Sequence, residues 1–435
     1  MPSNRALIAA VAIIMATLFS ALPPAVAASE EKVLWAFNHT DGNDLTGGLI
    51  FDGAGNLYGT TRWGGGADAG VVFELVHGKN GLWTEKVLHE FCGSNKCVDG
   101  NWPDGGLVFD ALGNLYGATV YGGTHNSGVV YELSPGSDGT WSETVLHNFG
   151  NGGDGAQPFG SLIFDAAGNL YGPTDGGGSG SCSGGCGTVF QLEPGKDGTW
   201  TEKVLHSFDN DGSDGYLPSS GLIVDATGNL FGTTYYGGSS GTGCGGSGCG
   251  TVFKLNVGAN GKWSEKVLHS FDGRDGFLPC CSLLAQEGGN LYGTADGGRY
   301  NFFDCNTGCG VVFELVRGGY GSWTEKVLRA FYHWRGPVGV ISDTVGNLYG
   351  VTVGGGRFHS TNCVDGCGAA YKMSPGSNGE WTLTALHDFG GTGDGIVPIG
   401  NLIFDEAGNL YGLTFGGPGS GCGTQGCGTV FEITP

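Results

Sequence analysis

Alternating hydrophobic and polar positions divide the chain into short segments that predict β-strands. Between residues 160 and 208 these segments are Gly160–Asp165, Asn169–Thr174, Gly187–Leu192 and Trp200–Phe208. Ala-Ala-Gly follows the first segment and Pro-Gly-Lys-Asp-Gly follows the third, and both are turn signatures. A longer glycine-rich loop joins the second segment to the third. The pattern predicts four antiparallel strands, and no amphipathic helical period stands out beside it.

This unit is repeated along the chain. The string Gly-Asn-Leu-(Tyr/Phe)-Gly occurs seven times at intervals of 55 to 62 residues. A period of this size, filled with short strands, indicates a β-propeller or a solenoid. The asparagines that mark the seven repeats are Asn56, Asn114, Asn169, Asn229, Asn290, Asn347 and Asn409.

The two ends of the chain match different strands of the repeat. Glu31–Phe37 is similar to a fourth strand, whereas Gly428–Ile433 is similar to a third. If the N-terminal strand pairs into the last repeat, a ring closes and no sheet edge stays exposed. An open solenoid would need distinct caps, which the sequence does not offer. We therefore predict an all-β fold, a seven-bladed β-propeller with four antiparallel strands per blade.

The repeat resembles the GloVer (Gloeo/Verruco) tandem repeat of exported bacterial proteins. The matching core stands here as Gly221–Thr234, Gly237-Gly238 and Gly250–Leu255. Related proteins often carry a C-terminal surface anchor, and because this sequence stops at Pro435 the resemblance implies release without one. The resemblance brings no established catalytic residues.

The first residues have the features of a secretory signal peptide. Arg5 precedes an apolar run to about Leu22, and Ala25-Val26-Ala27 forms a small-x-small cleavage site. The run is short for a membrane anchor, and no second apolar segment is long enough to span a bilayer. We expect a signal peptide over residues 1–27 and a single β-propeller domain over residues 28–435, secreted or periplasmic and without a membrane span after cleavage.

The composition narrows the choice of partners. The formal net charge is −22, which disfavours phosphate backbones and anionic membranes, so nucleic acid is not an expected partner. Glycine accounts for 91 residues, but an aromatic content of 11% assigns these glycines to turns rather than to disorder. We expect a monomer whose partner is an extracellular ligand or protein.

The fourteen cysteines fall into pairs that are close in sequence. Five pairs lie between predicted second and third strands, and the other four cysteines follow fourth strands; in a propeller both sets of loops emerge on one face. Local disulfides are favoured over zinc, which needs about four converging ligands. They would either hold a binding surface rigid or only restrain long loops. Cys280 and Cys281 would form a strained vicinal disulfide or stay reduced. The predicted disulfide residues are Cys92, Cys97, Cys182, Cys186, Cys244, Cys249, Cys280, Cys281, Cys305, Cys309, Cys363, Cys367, Cys422 and Cys427.

Acidic residues collect on the same predicted face, mostly in Asp-Gly turns before first strands. The segment from Asp209 to Gly215 resembles a calcium loop, because Ca²⁺ binds several carboxylate and carbonyl oxygens on a tight turn. It lacks the spacing and the distal Glu of an EF-hand. Calcium, held by Asp209, Asp211 and Asp214, is the one cofactor that the sequence suggests.

A unique site should interrupt the repeat, and the interruption falls in the fifth and sixth repeats. The linker that elsewhere reads Asp-Gly becomes Tyr-His-Trp-Arg-Gly-Pro, and nearby loops add further Arg, His and aromatic residues. Such residues on an acidic face are typical of a ligand-binding patch, although drift in two degenerate repeats would look the same. The candidate binding residues are His333, Trp334, Arg335, Arg299, Tyr300, Arg357 and His359.

Residues that recur at one register of most repeats indicate packing rather than catalysis. This holds for a tryptophan that begins the fourth strands and for a histidine near their ends. The histidines are His89, His147, His206, His269 and His387.

No catalytic residue is predicted, because the sequence has no Gly-x-Ser-x-Gly elbow, no HExxH and no P-loop. Three functions remain. An extracellular recognition module for a saccharide, peptide or surface partner is favoured. The alternatives are a carbohydrate-active hydrolase or lyase at the central channel and a structural envelope protein.

Overall fold

The computed structural model describes residues 29–435 apart from 94–95, 219, 240–243, 245, 259–260, 287, 298–309 and 332–335. These residues form an all-β protein whose strands follow the sequence repeats. Two single 3-10 turns, Gly319–Gly321 and Gly423–Gln425, are the helical segments that they contain. No helix in this part of the chain is long and apolar enough to cross a membrane.

Each of the first three repeats forms an antiparallel meander. The first repeat contains β2 (Asn43–Phe51), β3 (Leu57–Trp63), β4 (Val71–His77) and β5 (Trp83–Glu90). The second contains β6 (Asn101–Pro103), β7 (Val108–Phe109), β8 (Leu115–Tyr121), β9 (Val129–Pro135) and β10 (Trp141–Asn148). The third contains β11 (Gly155–Pro158), β12 (Ile163–Phe164), β13 (Leu170–Gly177), β14 (Thr188–Pro194) and β15 (Trp200–Ser207).

The next three repeats have the same order of strands. The fourth contains β16 (Gly215–Tyr216), β17 (Ile223–Val224), β18 (Leu230–Thr234), β19 (Tyr236–Gly237), β20 (Thr251–Val257) and β21 (Trp263–Ser270). The fifth contains β22 (Phe277–Ala285), β23 (Leu291–Asp296), β24 (Gly310–Arg317) and β25 (Trp323–Ala330). The sixth contains β26 (Pro337–Ser342), β27 (Leu348–Thr352), β28 (Ala369–Pro375) and β29 (Trp381–Asp388).

The seventh repeat is completed by the N-terminal strand. It contributes β30 (Ile396–Phe404), β31 (Leu410–Gly416) and β32 (Thr429–Thr434), and β1 (Glu30–Ala36) pairs antiparallel with β32. On its other side β30 forms a parallel bridge with β2 through Asn401 and Gly48. The last repeat therefore lies against the first.

The first strand of each repeat is bulged or broken near its middle, and in six of the seven repeats a described residue at this point has positive φ. Gly47 and Gly105 have φ values of 72° and 135° at this point. A Cβ on Gly47 would lie 2.2 Å from the carbonyl carbon of Gly105, and one on Gly105 would lie 2.4 Å from the oxygen of Gly160. Glycine is needed here because the innermost strands of neighbouring repeats approach within backbone contact.

The core lies between neighbouring repeats. Phe208, which ends the third repeat, meets Phe253 of the fourth edge-to-face at 5.1 Å. Trp141 of the second repeat packs on Tyr58 of the first, and Trp83 of the first packs on Tyr411 of the seventh. The contact between the seventh and first repeats is of the same kind as the others.

Candidate functional site

The innermost strands surround a central cavity of about 170 Å³. Every one of the seven repeats contributes to its wall. Most of the lining is glycine and serine, so Asp104, Tyr235 and Asn401 are conspicuous as larger polar residues. The wall is formed by Gly47, Asp104, Gly105, Phe159, Gly160, Ser161, Ser220, Gly221, Tyr235, Cys280, Cys281, Ser282, Val338, Gly400 and Asn401.

Asp104 of this wall and a second carboxylate together hold an arginine, Arg62. Arg62 Nη1 donates to Asp44 at 2.9 Å, and its Nε donates to Asp104 at 3.1 Å, with Nη2 contacting the same carboxylate oxygen. Asp104 is only 6% exposed. Burial raises the pKa of both aspartates above the usual range, and the Arg62 charge partly offsets this shift. Two acids and one base give the cluster a net negative charge.

Aromatic rings adjoin this cluster. The Arg62 guanidinium lies 5.8 Å from the ring centre of Trp102, within cation–π distance. Trp102 in turn meets Trp63 at 4.5 Å and Tyr121 at 5.1 Å, both edge-to-face. Carboxylates, a guanidinium and aromatic faces are therefore presented together by the first two repeats.

The position of Arg62 varies from repeat to repeat. The residue that follows the conserved end of the second strand is Arg62, Val120, Asp175, Tyr235, Asp296, Val353 or Phe415. Burial, together with the Asp104 charge, raises the pKa of Asp175 to about 7, and burial raises that of Asp296 to about 6. Asp175 Oδ1 is buried without a hydrogen-bond partner among the described residues. In two repeats this register therefore holds a buried carboxyl group whose pKa is raised.

Strained residues join the repeats at this end of the molecule. Trp102, Gln157, Leu217, Leu278 and Val397 occupy equivalent positions and have φ between 48° and 60°. Each donates its backbone N–H to the loop between the second and third strands of the preceding repeat. Left-handed backbone at non-glycine residues is uncommon and concentrates at functional sites.

A second cavity of about 220 Å³ lies between the fourth and fifth repeats. Its wall includes Lys266, whose Nζ donates to the Gly321 carbonyl at 2.7 Å. Lys86 makes the same contact with Gly139 at 2.8 Å in an earlier repeat. This cavity is therefore a product of the repeated packing, and the central cavity is the stronger candidate.

The patch predicted in the fifth and sixth repeats lies mostly outside the described residues, which include neither Arg299 and Tyr300 nor His333, Trp334 and Arg335. Arg357 and His359 lie between β27 and β28. The Arg357 side chain is 84% exposed and its Nε lies 2.9 Å from Asp388. His359 Nδ1 lies 3.2 Å from the Val364 carbonyl. Binding at this patch stays a prediction.

The predicted calcium residues are linked through backbone hydrogen bonds, since Asp214 accepts one from the Asp209 N–H and Asp211 accepts one from the Asp214 N–H. Asp209 accepts hydrogen bonds from the backbone and hydroxyl of Ser181, and Asp211 accepts them from Ser213. Asp214 lies 3.1 Å from His206 Nε2. Calcium at Asp209, Asp211 and Asp214 also stays a prediction.

Five of the predicted disulfides are present: Cys92–Cys97, Cys182–Cys186, Cys244–Cys249, Cys363–Cys367 and Cys422–Cys427. Cys305 and Cys309 lie outside the described residues. The inclusion of Cys280 and Cys281 among the disulfides is wrong for this structure, which leaves both as thiols with their sulfurs 3.0 Å apart. Both belong to β22 at the point where this strand is bulged and Cys281 has a φ of 69°, so the two side chains lie side by side.

Sequence reasoning missed the cluster at Arg62. Asp44 and Asp104 occur in turn-like contexts and read as turn residues. The sequence did contain one indication of it. The position occupied by Arg62 and Asp175 differs from repeat to repeat, whereas the residues before it are nearly constant. The recurrent histidines were also underestimated, since five of them lie 2.8 to 3.4 Å from an aspartate.

Solved structures with a similar fold were found. A fungal alcohol oxidase of the AA5 family in complex with copper matches with a TM-score of 0.53 and 15% identity, covering 93% of this chain and 77% of that one. A PL25 polysaccharide lyase, an ulvan lyase bound to -[GlcA(1-4)Rha3S]-, matches with a TM-score of 0.52 and 12% identity, covering 82% of this chain and 86% of that one. At such identities the likeness shows a propeller-like fold alone.

The sequence itself matches a family model. No curated protein sequence matches the chain. The model of the Gloeobacter/Verrucomicrobia repeat matches residues 15–245, which is more than half of the chain. The chain therefore belongs to the Gloeobacter/Verrucomicrobia repeat family.

Proposed function

We propose that the chain is an exported, single-domain recognition module that binds a saccharide at the central cavity. The proposed architecture is a closed seven-bladed β-propeller, in which β1 completes the last blade. The observation that carries the function is the Arg62 cluster, where Asp44 and Asp104 hold the guanidinium beside Trp102. The local disulfides are consistent with an extracellular setting.

Saccharide is the ligand class that this chemistry favours. Carboxylates and guanidinium groups form hydrogen bonds with hydroxyls in fixed directions, and aromatic faces such as Trp102 pack against the apolar faces of sugar rings. The net charge of −22 opposes a polyanionic ligand, so a neutral sugar fits better than an acidic one.

The test is a glycan-array screen of residues 28–435, followed by titration calorimetry of each hit. We expect Trp102→Ala to weaken binding at least about tenfold, because buried aromatic anchors dominate binding energy. Arg357→Ala is the matched comparison, since it removes the described arginine of the sixth-repeat patch. Loss of binding in Arg357→Ala alone would place the site in the sixth repeat and refute the assignment to the cavity.

A carbohydrate-active hydrolase or lyase is the second candidate. It is favoured by Asp175, whose buried carboxyl has a pKa of about 7 that suits general acid–base catalysis. Incubation of each bound glycan with the protein, and with Asp175→Asn as the control, separates the two. Turnover that disappears in Asp175→Asn would make the protein an enzyme, whereas intact glycans would leave recognition as its function.

A further inference from the structure

A histidine, an aspartate and a glutamate from two neighbouring repeats meet at the boundary between them. His269 Nε2 lies 2.9 Å from Asp275 Oδ2, and Glu325 approaches them from the next repeat. At the boundary between the sixth and seventh repeats, His387 Nε2 lies 2.8 Å from Asp394 Oδ2 and Glu31 takes the third position. In both groups the nitrogen and the two carboxylate oxygens lie within 4.8 Å of one another.

One carboxylate oxygen of each glutamate has no hydrogen-bond partner among the described residues. Oε1 of Glu31 and Oε1 of Glu325 are buried from solvent and form no hydrogen bond with any described residue. The same holds for the equivalent atoms of Glu85, Glu143, Glu202 and Glu265. A buried carboxylate oxygen without a partner is costly, and it is more costly beside a second carboxylate. A ligand that supplies positive charge would satisfy it.

The boundary between the fifth and sixth repeats lacks all three residues. In the fifth repeat Arg329 stands where five of the repeats have His, and at the facing glutamate position of the sixth repeat stands Leu383. The linker at residues 332–335 has no aspartate. At the boundary between the fifth and sixth repeats the glutamate is therefore absent together with the His–Asp pair. At the boundary between the seventh and first repeats Trp35 replaces the histidine alone, while the aspartate and the facing Glu85 remain.

The geometry points to two divalent transition-metal sites, one formed by His269, Asp275 and Glu325 and the other by His387, Asp394 and Glu31. One imidazole nitrogen and two carboxylate oxygens are ligands that Zn²⁺ accepts, whereas Ca²⁺ prefers oxygen alone. Each ion would cross-link two consecutive repeats, because the His–Asp pair and the glutamate belong to different sheets. Zinc here is separate from the cysteines and from the central cavity.

The experiment measures zinc bound by the purified chain after metal removal with EDTA and reloading, using calorimetry and metal analysis of the dialysed protein. Glu325→Gln and Glu31→Gln should each lower the bound zinc by one ion per chain, and the double variant by two. Zinc should raise the unfolding temperature of the wild type, and this shift should be smaller in each variant.

Glu314→Gln is the matched control, because Glu314 belongs to the neighbouring strand β24 and accepts hydrogen bonds from Tyr292 and Asn290. It should leave zinc binding unchanged. Unfolding in EDTA checks that every variant is folded. Absence of bound zinc, or zinc that survives Glu325→Gln and Glu31→Gln but disappears in Cys280→Ser/Cys281→Ser, would overturn the proposal.

Discussion

The backbone N–H of Leu217 donates a 3.0 Å hydrogen bond to the carbonyl oxygen of Cys186 and so joins the fourth repeat to the third. Leu217 has a φ of 55°, and Cys186 is fully buried and bonded to Cys182. The disulfide thus restrains the loop that accepts the bond. A disulfide within one repeat thereby stabilises the contact between two repeats.

Removal of the Cys182–Cys186 disulfide tests how much the contact between the two repeats depends on it. Cys182→Ser/Cys186→Ser should lower the free energy of unfolding by about 1–2 kcal/mol, since the closed loop is short. Urea denaturation measures the change. The second repeat offers the comparison, because Gln157 donates the same bond to Ser127 without any disulfide. An unchanged unfolding free energy would mean that the loop is ordered by its backbone hydrogen bonds alone.

The second repeat buries a tyrosine hydroxyl at a position where the third repeat has phenylalanine. Tyr131 is fully buried, and its hydroxyl has no hydrogen-bond partner among the described residues, whereas the equivalent residue of the third repeat is Phe190. Tyr131→Phe should raise the free energy of unfolding by about 1 kcal/mol, because it removes an unsatisfied polar group.

The reverse substitution is the control. Phe190→Tyr should destabilise the protein by at least about 1 kcal/mol, since it would bury a hydroxyl against Gly172. Both changes are measured by urea denaturation. A loss of stability in Tyr131→Phe would mean that the hydroxyl has a partner, such as a bound water.

The sequence could predict the strands and the disulfides because their determinants are local. A turn between two alternating segments specifies a hairpin, and cysteines four or five residues apart can pair within one loop. Asp165, for example, accepts hydrogen bonds from the backbone of Ala167 and Asn169, as its place before Ala-Ala-Gly suggests. Such contacts need no knowledge of the neighbouring repeat.

The candidate site could not be predicted in the same way, because its contacts join different repeats. Arg62 and Asp104 are 42 residues apart, and the Asp-Gly that contains Asp104 reads as a turn. The recurrence of the histidines along the repeats also led to an incomplete interpretation. It indicated a packing role for His269, whereas the structure places Asp275 and Glu325 beside it. What determines these groups is which side chains face each other across two sheets.

The Arg62 cluster should respond strongly to loss of its cation. Arg62→Met leaves Asp104 buried without its counter-charge and should lower the free energy of unfolding at pH 7 by about 3 kcal/mol. Arg62→Met/Asp104→Asn should recover much of this loss, because the buried charge is then gone. Chemical denaturation of both variants measures the coupling. Additive effects of the two substitutions would contradict the ion pair.

The raised pKa of Asp175 predicts a pH dependence of stability. The carboxyl has a pKa of about 7 in the folded protein and 3.8 as its ordinary value, so the folded state favours the protonated form. Its stabilising contribution is complete below the ordinary pKa and is lost as the pH rises through about 7. Asp175→Asn removes this titration. The free energy of unfolding of the variant should therefore rise relative to that of the wild type between about pH 4 and pH 7, and it should be higher by about 1–3 kcal/mol at pH 8.

Asp165→Asn is the opposite control for this pH series. Burial raises the pKa of Asp165, but the hydrogen bonds from Asn169 and Tyr171 outweigh it and lower the pKa below its usual range. The ionised form is therefore favoured on folding, and this contribution is present above the ordinary pKa and lost as the pH falls through the lowered value. Asp165→Asn should thus destabilise the protein at neutral pH, with a deficit that shrinks in acid. If denaturation at several pH values gave Asp175→Asn and wild type parallel curves, Asp175 would ionise normally and could not serve as a proton donor near neutral pH.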